Sequence, residues 1–359
     1  MSSPNLENRR SNLLRTVRFE RPDYIPMTFH INGACWHHYP PDALQELMAV
    51  HPFLFPDFHA ETSPHAENAG HPPYARAGEP YVDPWGCVWE TLENGILGTV
   101  THHPLASWDA FDGYVPPDPE VMTHWGPIDW GEQARHLGPA ISQSCLRIGE
   151  IGHNHTWLKL TDIRGYENVL LDMADAESRL FELVAMLEHF NMGLVRNYID
   201  RVGVDWLGFA EDLGMQVGPM LAPSHFRTYI KPSYQRLMRA ARDAGCIVHV
   251  HADGDLRDLI DDLLDCDIDV LNLQDLTNGL EWIEKRLVGK LCIDLDIDRQ
   301  RITARGTPAQ IDALIHEEVT RLGSKQGGLM MIYGLYPGVP LQNVAALMDA
   351  MEQYATYYA

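Results

Sequence analysis

Two histidines and two aspartates stand close together in residues 248–255. The first part of this segment has the apolar pattern of a short buried strand, and alternation along a strand places His249 and His251 on the same face. Asp253 and Asp255 follow in a glycine-containing loop, after which apolar residues repeat at helical spacing. Imidazole and carboxylate groups two residues apart suit a divalent metal such as zinc. The segment therefore predicts a metal site where a strand passes into a helix.

The same residues also fit a structural role. A histidine on a buried strand often packs in the core, and an aspartate before a helix often serves as its N-cap. A functional role is favoured over a structural one because α/β proteins place their active and binding sites at the carboxyl ends of parallel strands. The residues at the other strand ends therefore help to decide between a metal site and a structural role.

Eight short apolar runs predict eight strands, and from the third run onwards helical patterns separate them. The runs are residues 25–31, 53–58, 146–152, 204–210, 247–251, 269–273, 290–297 and 328–334. Alternating strands and helices, with eight strands, are typical of a (β/α)8 barrel. No long linker, internal repeat or low-complexity stretch interrupts the chain. We therefore predict an α/β fold with a single (β/α)8 TIM barrel that spans residues 1–359.

Capping residues mark several helix ends. Residues 175–202 carry apolar residues at helical spacing, with Asp175 as the N-cap and Gly203 as the stop. Residues 224–244 predict a second helix, which Pro232 should kink or break. Thr307 begins a capping box with proline at the first helical position. Helices thus follow the later strands, as the barrel requires.

Residues 60–145 depart from this alternation. They are rich in His, Pro, Gly and Trp, and they contain a hairpin signal at Glu93-Asn94-Gly95. We interpret them as an inserted loop and hairpin region that lies over one end of the barrel.

Composition excludes several classes of protein. The chain has 50 Asp and Glu against 27 Lys and Arg, a net charge of -23, so its surface repels nucleic acid and anionic membranes. Six scattered cysteines without a CxxC pair favour reduced thiols in the cytoplasm. There is no apolar signal-peptide core and no run long enough to span a bilayer. Glycine-rich phosphate loops and a G-x-S-x-G motif are also missing, which argues against nucleotide cofactors and serine hydrolases.

Nearly every predicted strand ends in a histidine, an acid or a tyrosine. In strand order these are His30; Asp57; Glu150, His153 and His155; Glu211 and Asp212; His251 and Asp253; Gln274 and Asp275; Asp294, Asp296 and Asp298; Tyr333 and Tyr336. Because Lys and Arg are scarce there, the barrel mouth suits a metal ion, or a substrate with cationic or hydroxyl groups, better than a polyanion. Some of these acids are also expected to cap the helices that follow.

Several short segments, in this order along nearly the whole chain, resemble the uroporphyrinogen decarboxylase superfamily. They are Arg21-Pro22-Asp23-Tyr24-Ile25-Pro26, Asp83-Pro84-Trp85-Gly86, Glu211-Asp212-Leu213-Gly214, residues 223–232, His251-Ala252-Asp253-Gly254 and Pro337-Gly338-Val339-Pro340. The resemblance implies a (β/α)8 barrel, in agreement with the strand count.

One branch of that superfamily decarboxylates a polycarboxylate porphyrinogen that it binds through arginines on the first strand. In this chain His30 and Ala34 stand at those two positions, so the carboxylates of such a substrate would meet an acidic mouth without cations. The catalytic aspartate of the family is matched by Asp57, and its late histidine is replaced by Tyr333. The resemblance implies proton-handling roles for Asp57 and Tyr333, but not uroporphyrinogen as the substrate.

The other branch consists of cobalamin-linked methyltransferases, whose zinc is held by His-x-Cys and a distant cysteine. His251 matches the histidine, Asp253 replaces the first cysteine, and Tyr333 falls where the second would be. The loss of sulfur disfavours thiol acceptors and favours an O- or N-methylated donor activated by zinc or another divalent metal. Since the chain has no D-x-H-x-x-G corrinoid-binding motif, the resemblance implies a separate corrinoid protein as partner.

We therefore predict a metal-dependent methyltransferase that moves a methyl group from a small O- or N-methylated substrate to a corrinoid protein. Its predicted metal ligands are His251, Asp253 and Glu211, and its catalytic residues are Asp57 and Tyr333. The predicted substrate-binding residues are His30, His153, His155, Gln274, Asp275, Asp296 and Tyr336, of which Gln274 or Asp275 would alternatively complete the metal site. Two alternatives stay open: a metal-free decarboxylase or carbon–carbon lyase that uses Asp57 on a small acid, and a non-enzymatic ligand-binding barrel.

Overall fold

The computed structural model describes residues 8–59, 71–140 and 145–359. The chain divides into two compact units. The first unit comprises the described parts of Met1–Ala77, Thr91–Leu97 and Leu273–Ala359, and the second comprises those of Gly78–Glu90 and Gly98–Asn272. The prediction of one domain over residues 1–359 stays a prediction.

Within the described residues the chain forms ten strands. They are β1 (Met27–Ile31), β2 (Tyr81–Val82), β3 (Val88–Glu90), β4 (Thr99–His102), β5 (Ile148–His153), β6 (Trp206–Ala210), β7 (Ile247–His251), β8 (Val270–Gln274), β9 (Cys292–Asp296) and β10 (Leu329–Leu335). The first unit holds three parallel strands in the order β1-β10-β9, with Phe29 opposite Tyr333. The second unit holds the parallel strands β5-β6-β7, followed by β8, at which the chain passes to the first unit.

Helices alternate with the parallel strands. They are α1 (Arg9–Val17), α2 (Cys35–His38), α3 (Pro41–Val50), α4 (Trp130–Leu137), α5 (Trp157–Arg164), α6 (Tyr166–Asp175), α7 (Ser178–Asn197), α8 (Pro223–His225), α9 (Lys231–Asp243), α10 (Ile260–Leu264), α11 (Asp275–Asn278), α12 (Leu280–Leu287), α13 (Ile302–Arg305), α14 (Pro308–Leu322) and α15 (Leu341–Ala355). Parallel strands followed by helices confirm the predicted α/β class. No helix of the described residues is both long enough and apolar enough to cross a membrane.

Most local boundary predictions are confirmed. Thr307 forms the capping box at the start of α14, and Gly203 ends the helical segment after α7 in a left-handed conformation. The prediction that Asp175 caps the long helix is wrong. Asp175 ends α6, and Glu177 caps α7, where its side chain accepts a hydrogen bond from the Arg179 backbone N–H. The regular helix predicted over residues 224–244 is interrupted at Pro232, as expected: a π-helical turn, Phe226–Ile230, precedes α9, and Pro232 lies in the first turn of α9, where its missing N–H is not needed.

The second predicted strand does not form, and residues 53–58 are turns and irregular backbone. The run follows Pro52 and contains a second proline, Pro56, whose missing N–H cannot donate to a neighbouring strand. The backbone N–H groups of Phe53 and Leu54 instead donate to the Glu352 side chain, at 2.9 and 3.3 Å. The described residues therefore contain seven of the eight predicted parallel strands.

The segment predicted as an insertion contains a small antiparallel sheet in the order β2-β3-β4, which confirms the hairpin on either side of Glu93-Asn94-Gly95. In the second unit this sheet is anchored to α5 by Lys159, whose Nζ lies 3.0 Å from Asp83 and 3.3 Å from Asp162. Burial by itself would lower the Lys159 pKa, but Asp162 and Asp83 outweigh it and raise the pKa. The charged, paired lysine thus holds α5 in place, next to the site described below.

Candidate metal centre

Three side chains at neighbouring strand ends of the second unit face one another. They are His153 at the end of β5, Asp212 just after β6 and His251 at the end of β7. The Nε2 atoms of His153 and His251 lie 3.3 and 3.6 Å from Oδ1 of Asp212. One ligand atom of each residue lies within 4.8 Å of the other two. Two ligands about 2.1 Å from one tetrahedral zinc ion would lie roughly 3.4 Å apart, so the spacing suits a divalent ion.

The outer hydrogen bonds of the two imidazoles also suit a metal. Nδ1 of His251 donates to the side-chain oxygen of Asn272, and Nδ1 of His153 donates to that of Asn154. A neutral imidazole that carries its proton on Nδ1 has its lone pair on Nε2, which is the atom that faces Asp212 here. Oδ1 of Asp212 is buried and accepts no hydrogen bond of good geometry from the described residues. The donor set is therefore two nitrogens and one oxygen.

A second carboxylate lies beside this cluster. Oδ1 of Asp253 is 3.8 Å from Nε2 of His251, so the predicted pairing of His251 with Asp253 is present in the structure. The side chains of His251, Asp253, His153 and Asp212 are 22 to 35% exposed. Partial exposure leaves room for an ion or a small molecule to enter from solvent.

Without an ion, the two imidazoles and the carboxylates of this region stabilise one another's charged forms. Burial alone would lower the His251 pKa, but Asp212, Asp253 and Asn272 outweigh it and raise the pKa to about 9. Asp212 likewise outweighs burial and raises the pKa of His153. Burial would raise the Asp212 pKa, but His153 and His251 outweigh it and lower the pKa. A metal at this position would therefore compete with protons for the two imidazoles.

Glu211, the third predicted ligand, is placed differently from its neighbour Asp212. It is 1% exposed, and its Oε1 accepts the backbone N–H groups of Thr156 and Leu158, each at 2.8 Å. Its other oxygen accepts the hydroxyl of Tyr234, a close contact. Both oxygens are thus occupied: Oε1 lies at the N-terminal turn of α5, where backbone N–H groups stabilise a carboxylate, and the other oxygen meets a residue of α9. This geometry favours Asp212 over Glu211 as the carboxylate ligand.

His155 is buried beside Glu211 and is 1% exposed. Its Nδ1 is 2.8 Å from the hydroxyl oxygen of Thr156, and its ring packs on Phe209 and Tyr234. Burial lowers the His155 pKa, although Glu211 opposes this. The structure therefore gives His155 a place in the core behind the cluster, away from solvent.

The remaining predicted residues lie in the first unit. Tyr333 is fully buried and donates to Thr303 Oγ1 at 3.3 Å, and burial raises its pKa to about 12. Asp296 accepts from Arg299 at 2.6 Å, and the Arg299 guanidinium lies over the Tyr336 ring. Asp57 is exposed, and its carboxylate lies 3.1 Å from the guanidinium of Arg9.

His30 and Gln274 lie at the carboxyl ends of β1 and β8, and Asp275 begins α11. Burial lowers the His30 pKa, and Asp294 opposes this effect. The roles assigned to the first-unit residues stay predictions.

Sequence reasoning did not select Asp212 as a ligand, and it assigned His153 to substrate binding. The signal that identifies both is strand pairing: Ala210 of β6 lies opposite His251 of β7 and also opposite His153 of β5. Residues that follow or end these three strands are therefore neighbours at one edge of the second unit's sheet.

The sequence of this chain is similar to that of a known protein family. The family model described as Uroporphyrinogen decarboxylase (URO-D) matches residues 157–354, more than half of the chain. Two relatives, the uroporphyrinogen decarboxylases of two strains of Thermus thermophilus, are 28% and 27% identical over 140 residues. Each match spans only 38% of this chain and 38% of the relative.

Among solved structures, a methyltransferase from Methanosarcina mazei is similar over 98% of this chain and 99% of its own. The TM-score is 0.61 at 15% sequence identity, so the two proteins share a fold. The likeness agrees with the α/β class predicted from the sequence.

Proposed function

Because the chain belongs to the uroporphyrinogen decarboxylase family, we propose that it is a metal-dependent methyltransferase that uses a small O- or N-methylated donor. The observation that carries the proposal is the cluster of His153, Asp212 and His251, with its buried carboxylate oxygen facing two imidazole nitrogens. Two nitrogens and an oxygen form a ligand set for zinc or a similar divalent ion, and without sulfur ligands such an ion would be poorer at binding and activating a thiolate. The fold shared with the Methanosarcina methyltransferase supports the same chemistry.

In this proposal His153, Asp212 and His251 hold the metal, and Asp253 is the nearest further oxygen donor. When bound, the metal would supply Lewis-acid withdrawal of electrons from the donor's heteroatom, and a corrinoid protein would supply the methyl acceptor. Asn154 and Asn272 keep the two imidazoles in the tautomer that presents Nε2.

The chain's own residues would manage protons and orientation. The methyl carbon–heteroatom bond breaks, the heteroatom keeps the electron pair, and it then needs one proton. Tyr333, with its pKa raised to about 12, keeps its hydroxyl proton at neutral pH and is a proposed donor. Asp57 is the second proposed proton-handling residue. Substrate orientation is proposed for His30, Asp296 and Tyr336, together with Gln274 and Asp275, whereas the buried His155 would support the site from the core.

The proposal is tested by metal analysis and by methyl transfer. Protein purified without chelator or affinity-tag metal should contain close to one divalent ion per chain. Mixed with reduced cob(I)alamin and a panel of methoxylated or methylamine donors, it should convert one of them and give the absorbance of methylcobalamin. A metal-loaded protein that produces no spectral change with any donor of a broad panel would contradict the methyltransferase proposal.

The Thermus relatives favour a second candidate, a metal-free decarboxylase or carbon–carbon lyase on a small acid. Uroporphyrinogen itself is not the proposed substrate, because His30 and Ala34 stand where the decarboxylase branch has its arginines. Metal content separates the two candidates: full activity on an acid after complete removal of metal would favour the lyase.

A further inference from the structure

Two loops of the second unit lie backbone against backbone beside the metal cluster. One follows β6 and contains Gly214, and the other follows β7 and contains Gly254. A Cβ atom on Gly254 would lie 2.2 Å from the carbonyl carbon of Gly214, and one on Gly214 would lie 2.3 Å from the backbone nitrogen of Asp255. Contacts this short force the backbone apart, so only glycine at both positions permits the approach.

Hydrogen bonds hold the two loops in this register. The Gly214 N–H donates to the Asp253 carbonyl at 3.0 Å, and the Asp255 N–H donates to the Met215 carbonyl at 2.8 Å. The Asp255 carboxylate, 3% exposed, accepts the Gly218 N–H at 3.0 Å and is held by the Arg257 guanidinium. Asp255 belongs to the segment whose sequence predicts a metal site, but its carboxylate joins the two loops.

Each loop carries one carboxylate that lies near His251. Asp212 precedes Gly214 by two residues, and Asp253 directly precedes Gly254. Oxygens of these two aspartates lie 3.6 and 3.8 Å from the same Nε2 atom of His251. The distance between the loops therefore sets how the two carboxylates meet the imidazole.

We propose that the Gly214–Gly254 contact and Asp255 form a positioning clamp, which fixes the carboxylates of Asp212 and Asp253 relative to His251. The clamp's effect on an ion rests on the proposed metal function, but its effect on the side chains does not. Gly214, Gly254 and Asp255 are positioning residues, since they act through the backbone of their neighbours.

Two alanine substitutions separate the clamp from ordinary backbone strain. Gly254 has φ +85° and a neighbour in the path of a Cβ, whereas Gly245 has φ +84° and nothing within 4 Å. Gly254→Ala and Gly245→Ala therefore impose similar strain from a positive φ, but only Gly254→Ala pushes the two loops apart.

The readouts are cobalt(II) titration followed by visible absorbance, and the imidazole nitrogen chemical shifts of metal-free protein by NMR. We expect Gly254→Ala to weaken cobalt(II) binding about 10- to 100-fold, the range for outer positioning groups, and to alter the cobalt spectrum. It should also move the His251 imidazole shifts, whereas Gly245→Ala should match wild type in both measurements. Equal behaviour of the two variants in both measurements would overturn the clamp. If wild type binds no cobalt, the metal proposal fails, and the imidazole shifts alone decide the clamp.

A second pair of variants decides the matter if Gly254→Ala does not fold. Asp255→Ala should weaken cobalt binding and move the His251 shifts, and Asp255→Asn, which keeps an acceptor for the Gly218 N–H, should restore most of both. Asp262→Ala is the matched control, because Asp262 is similarly buried and is paired with Arg227 and Lys231, which lie outside both loops. The clamp is wrong if Asp255→Ala and Asp262→Ala have the same effect, or if Asp255→Asn restores nothing.

Discussion

Two groups of ionisable side chains, one in each unit, are neutralised in opposite ways. In the second unit, His153, Asp212 and His251 combine acidic and basic groups and are partly exposed. In the first unit, Asp275 and Glu318 are both carboxylic acids, 5% and 0% exposed. No N–H or O–H of the described residues meets either Glu318 oxygen with good hydrogen-bond geometry.

The two carboxyl groups can hydrogen bond only if one of them carries a proton, because two carboxylates offer acceptors alone. Burial raises the pKa of Asp275 to about 6, although the hydrogen bond from Glu318 opposes this. Burial and the Asp275 charge raise the pKa of Glu318. The first unit thus neutralises its buried acids with a proton, whereas the second unit neutralises Asp212 with two imidazoles that could also hold a metal. Mixed charge with solvent access is what makes the second group a candidate site.

The largest expected effect is the loss of metal from the second unit. His251→Ala removes one of the two imidazole nitrogens and should weaken cobalt(II) or zinc binding by more than about 100-fold, beyond the range of outer groups. Glu318→Gln, in the carboxyl pair, should leave the affinity unchanged. Isothermal titration calorimetry of chelator-treated protein measures both variants. Stoichiometric binding by His251→Ala would place the metal elsewhere.

The carboxyl pair should make stability depend on pH. A carboxyl group whose pKa is raised by folding favours the folded state fully below its unfolded pKa of about 4, and this contribution is lost as pH rises through the folded pKa. For Asp275 that loss runs from about pH 4 to about pH 6. Glu318→Gln, which can donate an N–H without titrating, should stabilise the protein at pH 8 by roughly 1–3 kcal/mol and change little at pH 4.5.

Urea unfolding at the two pH values measures this effect. Glu317→Gln, at an exposed position of the same helix, is the control, because Glu317 pairs with Arg321 at the surface. Parallel pH profiles for wild type and Glu318→Gln would show that the pair does not share a proton.

A smaller effect is expected within the metal cluster. Asp212→Asn removes the carboxylate that faces both imidazoles, so the His251 pKa should fall from about 9 towards the ordinary value of about 6.5. Since a raised histidine pKa stabilises the fold below about pH 6.5 and loses that effect as pH rises through 9, the variant should also lose stability mainly at low pH. NMR titration of metal-free protein follows the His251 ring. An unchanged pKa would mean that Asp253 or Asn272 dominates.

The smallest effect is expected for an exposed pair of the first unit. Arg9 lies 3.1 Å from Asp57, whose side chain is 85% exposed, so solvent screens the interaction. Arg9→Ala should change the free energy of unfolding by less than about 1 kcal/mol in thermal or urea unfolding. A larger loss would show that the pair has a structural role comparable to the buried groups.

Local features of the fold followed from the sequence. The strand Ile247–His251 was predicted at its observed bounds, and the Thr307 capping box and the stop at Gly203 formed as expected. These features depend on side-chain alternation, on one cap and on one glycine, which act over a few residues. Residues 53–58 do not form the predicted strand. The backbone N–H groups of Phe53 and Leu54 donate to the side chain of Glu352, which is distant in sequence.

The sequence predicted which types of residue form the site, but not which individual residues face one another there. Acids and histidines at the ends of predicted strands could be read from their order along the chain, and His251 and Asp253 proved to be neighbours. Glu211 and Asp212 are adjacent in sequence and chemically similar, so no local pattern distinguishes them. Tertiary structure separates them, because Glu211 meets the backbone N–H groups at the start of α5 while Asp212 faces the imidazoles. Likewise Asp255 joins two loops only because a pair of glycines lets their backbones meet. Partners distant in sequence, fixed by strand register and close backbone approach, decided which carboxylate faces the site.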